Sequence, residues 1–232
     1  MSNSRSTIAT AEGQRRSRMH RARVLIVDDH PLVREGLTAR ISAQPDMEVC
    51  GEAADVDEAL ALLHTVNPAL MIVDLALKSS HGVDLIKKVR REGAQTKMLV
   101  VSAYDESLFA ERALRAGADG YINKQEAQEK VIDAIRVLLR GERYLSAEMT
   151  QRLLGQALSG KPDRHGVANL SDRELEIFRL IGLGKSTRSI AQQLHLSVHT
   201  IETHRENIRA KLDLRNAAEL MQRAVQWVLE TR

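Results

Sequence analysis

Residues 70–82 read LMIVDLALKSSHG: four consecutive apolar residues deliver a carboxylate, Asp74, and then a polar turn. So short an apolar run, with no polar residue inside it, fits a strand buried on both faces, because a half-exposed strand alternates apolar and polar positions. The same form recurs on either side. RVLIV at 23–27 runs into Asp28 and Asp29, MEVCGEA fills 47–53, TKMLVVS at 96–102 ends on Ser102, and GYIN at 120–123 leads to Lys124. The stretches that follow them, LVREGLTARI, DEALALLH, VDLIKKVRR, ESLFAERALRAG and EKVIDAIRVLLRG, carry apolar residues at helical spacing. Five repeats of strand then helix predict an α/β doubly wound fold, a five-stranded parallel sheet with helices on both faces.

In such sheets sites lie beyond the carboxyl ends of the strands, near the point where strand order reverses. With the order 2-1-3-4-5, strands one and three are neighbours, and Asp28, Asp29 and Asp74 converge on one rim. Three carboxylates there raise one another's pKa unless a cation neutralises them. Mg2+, a hard cation that takes oxygen ligands and keeps several waters, suits that rim. Asp29 is expected to bind it directly, with Asp28 helping directly or through water. Ser102 and Lys124 add a hydroxyl and an ammonium, so the rim is predicted to receive a phosphoryl group, with Asp74 as nucleophile.

The chain has 232 residues and is 43% hydrophobic, enough for two domains with real cores. Its single cysteine, Cys50, excludes an intramolecular disulfide framework; the N-terminal residues hold no apolar stretch long enough to predict a signal peptide, and no run approaches the roughly 18 apolar residues of a membrane span. A cytoplasmic protein that makes no use of a membrane is expected. Residues 1–22, arginine-rich and without apolar period, are expected to be a disordered basic tail, and Met19 stands as an alternative start. The net charge of +3 leaves any nucleic-acid binding to local placement of basic residues.

The first domain is expected over 23–142, a linker helix and loop over 143–167, and a second domain over 168–232. Ser171 with Glu174 fits a capping box that launches the helix DRELEIFRLIGLG. In the following stretch Ile190, Ala191 and Leu194 form one apolar face, a turn falls at His195 and Leu196, and Val198, Ile201, Ile208 and Leu212 form a second face. Two short helices joined by a tight turn predict a helix-turn-helix in a small all-α domain. With the apolar face inward, His199, Thr200, Glu202, Thr203, Glu206 and Arg209 are candidate readers of a major groove. Residues 163–232 hold 11 Lys and Arg against 9 Asp and Glu, a difference of only +2, so Arg188, Arg205, Arg209 and Lys211 are expected to anchor phosphates locally. Glu202 is either a reader that accepts from cytosine N4 or a solvated or Arg-paired carboxylate. His195, His199 and His204 do not share one continuous helix face, which disfavours a metal site.

The DD pair at 28–29, Asp74, Ser102 and GYINK at 120–124 resemble the receiver domain of two-component response regulators, a flavodoxin-like fold. LSDRELEIFRLIGLGKSTRSIAQQLHLSVHTIETHRENIRAKLDLRN resembles the LuxR-type DNA-binding domain. A receiver followed by that domain looks like the NarL/FixJ class. The resemblance implies a transcription regulator rather than an enzyme, phosphorylated on Asp74 by a sensor histidine kinase and bound to double-stranded promoter DNA as a homodimer through its last helix. It also implies a switch in Ser102 and Tyr121, which exposes the recognition helix or promotes dimerisation, and a metal contact from the backbone carbonyl of Ala76. Ala76, Leu77 and Lys78 depart from the usual receiver loop, and Lys78→Pro is expected to change the lifetime of the phosphorylated form. The alternatives are a regulator that works without phosphorylation and a Mg-dependent phosphatase; phosphatases of the haloacid dehalogenase type carry D-x-D on the first strand, where this chain has DDH.

Overall fold

A computed structural model describes residues 21–77, 81–104, 106–159 and 167–230. The expected basic tail lies almost wholly outside the described residues, and Lys78 lies outside them too.

Five strands, β1 (Ala22–Val27), β2 (Met47–Ala53), β3 (Leu70–Val73), β4 (Lys97–Ser102) and β5 (Gly120–Asn123), form one parallel sheet in the order β2-β1-β3-β4-β5. This is the doubly wound order expected from the strand-helix repeats. Between and after them run α1 (Pro31–Ser42), α2 (Val56–Val66), α3 (Gly82–Arg91), α4 (Glu106–Ala116) and α5 (Lys124–Leu139).

Alternation along the buried strands makes two cores. Leu25, Val27, Met71, Val73, Met98 and Val100 face one side, where α2, α3 and α4 contribute Ala59, Leu63, Ile86, Val89, Phe109 and Ala113. Val24, Ile26, Leu70, Ile72, Leu99 and Val101 face the other, against Leu37 and Ile41 of α1 and Val131, Ile135 and Leu138 of α5. Both faces of the sheet are therefore covered, which is why its strands read as continuous apolar runs.

Register then sets the site. Val27 pairs with Val73, so Asp28 and Asp74, each one residue further on, leave the sheet side by side. The Asp74 amide also donates to Val27 O at 2.8 Å, extending the ladder to the first residue of the rim.

A connecting helix, α6 (Ala147–Ser159), precedes the second unit, which holds α7 (Asp172–Gly182), α8 (Thr187–Gln193), α9 (Val198–Lys211) and α10 (Ala217–Glu230). Three serines start its first three helices: Ser171, Ser186 and Ser197 each accept the main-chain amide of the third helical residue, and Ser171 with Glu174 completes the expected capping box. The turn between α8 and α9 passes through His195 at φ 52, a left-handed residue. Ile177, Phe178, Ile181, Ile190, Ile201, Ile208, Leu220, Ala224 and Trp227 make the core. One expected core residue does not join it. Val198 is the first residue of α9 and is 49% exposed, because that position precedes the first inward turn, on which Ile201 sits. Among the described residues no helix is long and apolar enough to cross a membrane.

Candidate functional site

The rim is a compact charged cluster. Lys124, the first residue of α5, places its Nζ 2.7 Å from Asp74 Oδ2 and 2.7 Å from Asp28 Oδ2, bridging the ends of β3 and β1. All three carboxylates are nearly inaccessible, Asp28 at 2%, Asp29 at 5% and Asp74 at 1% exposure. Burial, reinforced by the Asp28 charge, raises the Asp74 pKa against the opposing pull of Lys124. Burial also works against the Lys124 ammonium, but the Asp74 and Asp28 carboxylates outweigh it and hold its pKa above the ordinary value. The remaining Asp74 oxygen, Oδ1, accepts the Ala76 amide at 3.2 Å.

Asp28, Asp29, His30 and Asp74 each offer one ligand atom, and these atoms lie within 4.8 Å of one another. Asp29 Oδ1 is buried with no hydrogen bond, and His30 Nδ1 approaches it to 2.6 Å outside hydrogen-bonding geometry. A buried carboxylate oxygen left in that state, in a set dominated by hard oxygen donors, fits a divalent cation. His30 is an addition to the expected set. Arg34 is another, because its Nη1 donates to the Asp28 carbonyl at 2.6 Å while its Nε lies 3.3 Å from Glu52, which ties α1 to the rim.

Ser102 ends β4, fully buried, and its Oγ accepts the Tyr104 amide at 3.2 Å. It pairs in register with Asn123, so Lys124 follows directly on the neighbouring strand. Tyr121 is also buried, with its hydroxyl donating to the Tyr104 carbonyl at 2.9 Å. The rim therefore brings together Asp28, Asp29, Asp74 and Lys124, while Ser102 and Tyr121 converge on Tyr104.

His81 lies at the start of α3, caps it by accepting the Val83 amide at Nδ1, and stacks near Tyr104 and Phe109 with ring centroids 6.0 and 6.3 Å away. Its Nε2 is buried with no hydrogen bond, and burial pushes the imidazole from 6.5 down to about 4. Between those values the unfolded chain binds a proton at His81 that the folded chain refuses, so stability falls as pH drops through this window, by on the order of 3 kcal/mol in total. Thermal melts between pH 7 and pH 5 are expected to show that fall, and His81→Asn, which keeps a side-chain cap, is expected to flatten it. Equal slopes for the two proteins would contradict this account of the buried imidazole.

In the second unit, His199, Glu202, Thr203 and Glu206 of α9 and Arg188 of α8 are exposed, while Thr200, Arg205 and Arg209 are half-buried. Glu202 lies 3.6 Å from Arg205, the Arg-paired state named among its options. Lys211 is exposed but lies 2.6 Å from Glu174 of the capping box, so part of its charge is satisfied inside the domain. The outward face of α9 at His199, Glu202, Thr203 and Glu206 is open among the described residues.

Known proteins agree with this picture. The family described as "Response regulator receiver domain" matches residues 24–136, and "Bacterial regulatory proteins, luxR family" matches residues 168–224. The transcriptional regulatory protein LiaR of Bacillus subtilis is 34% identical over 192 residues, 83% of this chain and 91% of its own length. The response regulator protein VraR of Staphylococcus aureus is 34% identical over 197 residues, 85% of this chain and 93% of its own. Among solved structures, a LuxR-family two-component response regulator from Aurantimonas sp. matches at TM-score 0.55 and 33% identity, covering 60% of this chain and 99% of that one. RcsB of Salmonella enterica serovar Typhimurium, bound to the promoter rprA, matches at TM-score 0.56 and 25% identity, covering 88% and 98%. With a receiver rim at one end and a helix-turn-helix at the other, the chain belongs to the two-component response regulators of the NarL/FixJ class, DNA-binding transcription regulators of the LuxR type.

Proposed function

We propose that Asp74 accepts a phosphoryl group from a sensor histidine kinase and that the change at the rim alters how the second domain engages promoter DNA. The observation that carries this reading is Lys124 Nζ held 2.7 Å from both Asp28 and Asp74, a fixed cation beside a buried nucleophile. An Asp74 oxygen forms the new bond to phosphorus as the bond to the donor's histidine nitrogen breaks. Lys124 neutralises charge on the transferring oxygens, and Ser102 donates its hydroxyl to one of them. Mg2+, held by Asp28, Asp29, Asp74 and the carbonyl of Ala76, supplies further charge neutralisation when bound. His30 orients Asp29, and Arg34 holds the Asp28 main chain. Tyr121 reports on the rim through its bond to Tyr104. This work is one stoichiometric transfer rather than turnover, in a cytoplasmic protein of two domains, 23–142 and 168–232, joined by 143–167.

On DNA, α9 enters the major groove with His199, Thr200, Glu202, Thr203 and Glu206 toward the bases, while Arg188, Arg205, Arg209 and Lys211 meet phosphates. Two copies pair through α10, whose Met221, Val225 and Leu229 lie exposed at successive helical turns. Arg188→Ala is expected to weaken binding to all sequences alike and to reduce the salt slope by about 1. Glu202→Ala is expected to relax preference at one base pair by about 1–3 kcal/mol if it reads cytosine. A binding selection compared between the two variants separates them; an unchanged sequence preference for Glu202→Ala would assign the residue to its Arg205 pair alone.

One observation favours a second reading. The reading face of α9 is already open, so a regulator that binds DNA without phosphorylation also fits. Equal promoter affinity of Asp74→Ala and the phosphorylated wild type would select it.

A further inference from the structure

His30 stands where β1 has ended and α1 begins, at the N-cap position of the helix, and it does not do the usual work of that position. Its side chain accepts no amide of the first turn, whereas Ser171, Ser186 and Ser197 all do so in the second unit. The start of α1 is secured by other means. Pro31 opens the helix with a fixed φ, and the His30 carbonyl accepts the amides of Val33 and Arg34 at 3.1 and 3.2 Å. The His30 amide donates to Asp28 Oδ1 at 2.9 Å. The main chain of His30 is thereby pinned, and its imidazole is left to the rim.

Asp29 supplies the second observation. Its side chain is 3% exposed, yet its Oδ1 has no hydrogen-bond donor. A carboxylate oxygen taken out of water in that state is costly. The His30 Nδ1, 2.6 Å away, does not relieve it, because the pair fails hydrogen-bonding geometry, and the same nitrogen lies 3.3 Å from Asp28 Oδ1. An imidazole nitrogen and carboxylate oxygens set side by side, with no side-chain hydrogen bond between them, have the arrangement of ligands to a shared cation. His30 is the exposed member of that set, and its three carboxylates are buried. We propose that His30 is a nitrogen ligand of the rim and tilts its cation site away from Mg2+ toward a borderline dication of the first transition row, such as Mn2+ or Co2+.

This role rests on the reading of the rim as a cation site given above, to which it adds the choice of ion. Mg2+ favours an oxygen shell and keeps several of its waters, so an imidazole adds little to its binding. Transition dications accept imidazole readily, and their affinity for such sites rises from Mn2+ to Co2+. Asp28, Asp29 and Asp74 are oxygen donors that take either kind of ion, so the nitrogen of His30 is the donor that discriminates. The oxygen set also stands without it. Arg34 Nη1 holds the Asp28 carbonyl at 2.6 Å, and Lys124 Nζ holds Asp28 Oδ2 and Asp74 Oδ2. The His30 side chain is 56% exposed, so its loss opens no cavity in the core.

Calorimetric titration of the full-length protein with Mg2+ and with Co2+, in the absence of any phosphodonor, tests this. His30→Ala is expected to weaken Co2+ binding about tenfold and to leave Mg2+ binding within about threefold of wild type. Asp29→Ala is expected to weaken both ions, which locates the binding at the rim. Pulsed electron paramagnetic resonance of the Mn2+-loaded protein supplies a readout that a merely structural role does not move. An imidazole-nitrogen coupling is expected in the wild type and is expected to vanish in His30→Ala. Unchanged Co2+ affinity in His30→Ala, an equal loss of both ions, or a wild-type Mn2+ spectrum without nitrogen coupling would overturn the role of His30 and leave the oxygen site standing. A wild type that binds none of these ions, or binds them undiminished in Asp29→Ala, would overturn the cation reading of the rim and the role of His30 together.

Discussion

Lys124→Ala is expected to slow uptake of a phosphoryl group by Asp74 from a small phosphodonor by at least about a hundredfold, the scale on which removal of one preorganised charge-stabilising donor acts. The expectation follows from position. The ammonium lies 2.7 Å from an oxygen of each of two carboxylates, Asp28 and Asp74, that are almost wholly shielded from water. Without it two like charges face each other at a buried rim, and the incoming phosphoryl oxygens meet no fixed cation. Burial already raises the Asp74 pKa, and removal of the main group that opposes that rise makes the nucleophile still more reluctant to ionise. Arginine does not replace lysine here, because a planar fork does not fit between two oxygens served by a compact point charge. Time-resolved intact mass at fixed donor concentration reads the rate, and a Lys124→Ala rate within threefold of wild type would remove the residue from the chemistry.

Gly82→Ala is expected to cost about 2–3 kcal/mol, the scale of overpacking in a closed interior, and to disable the rim with it. A Cβ at this position falls 2.1 Å from the Asp74 carbonyl oxygen and 2.9 Å from Leu75 Cα, both backbone atoms that no rotamer change moves aside. The close approach arises because α3 starts directly under the loop that leaves β3, with the Gly82 amide donating to the Leu75 carbonyl at 2.9 Å. The displaced element is therefore the one that carries the nucleophile. In a thermal melt the loss corresponds to about 4–12 °C for a chain of this size. An unchanged midpoint would mean that the loop has slack which its packing contradicts.

The sheet was legible because its determinants are local and repeated. Each strand is a short apolar run, and once the order β2-β1-β3-β4-β5 is assumed, the parallel register of Val27 with Val73 brings Asp28 beside Asp74 without further information. The capping box at Ser171 and Glu174 was legible for the same reason, since its partners stand three residues apart. Val198 misled because helical periodicity marks a face and does not mark where the first turn turns inward. His30 and Arg34 carried no signal of their own: one reads as a residue leaving a strand, the other as a surface position of an amphipathic helix. Tyr104 and Glu176 are 72 positions apart, and each looks ordinary in its own segment. Only the docking of one domain on the other makes them partners, and no periodicity within either domain encodes that docking.

The intact mass of wild type and Asp74→Ala after incubation with Mg2+ and a small phosphodonor tests the rim most directly. A single phosphoryl adduct is expected on the wild type, absent from Asp74→Ala and absent when the divalent cation is chelated. An adduct that persists in Asp74→Ala, or one that forms equally well without the cation, would contradict the assignment of the rim.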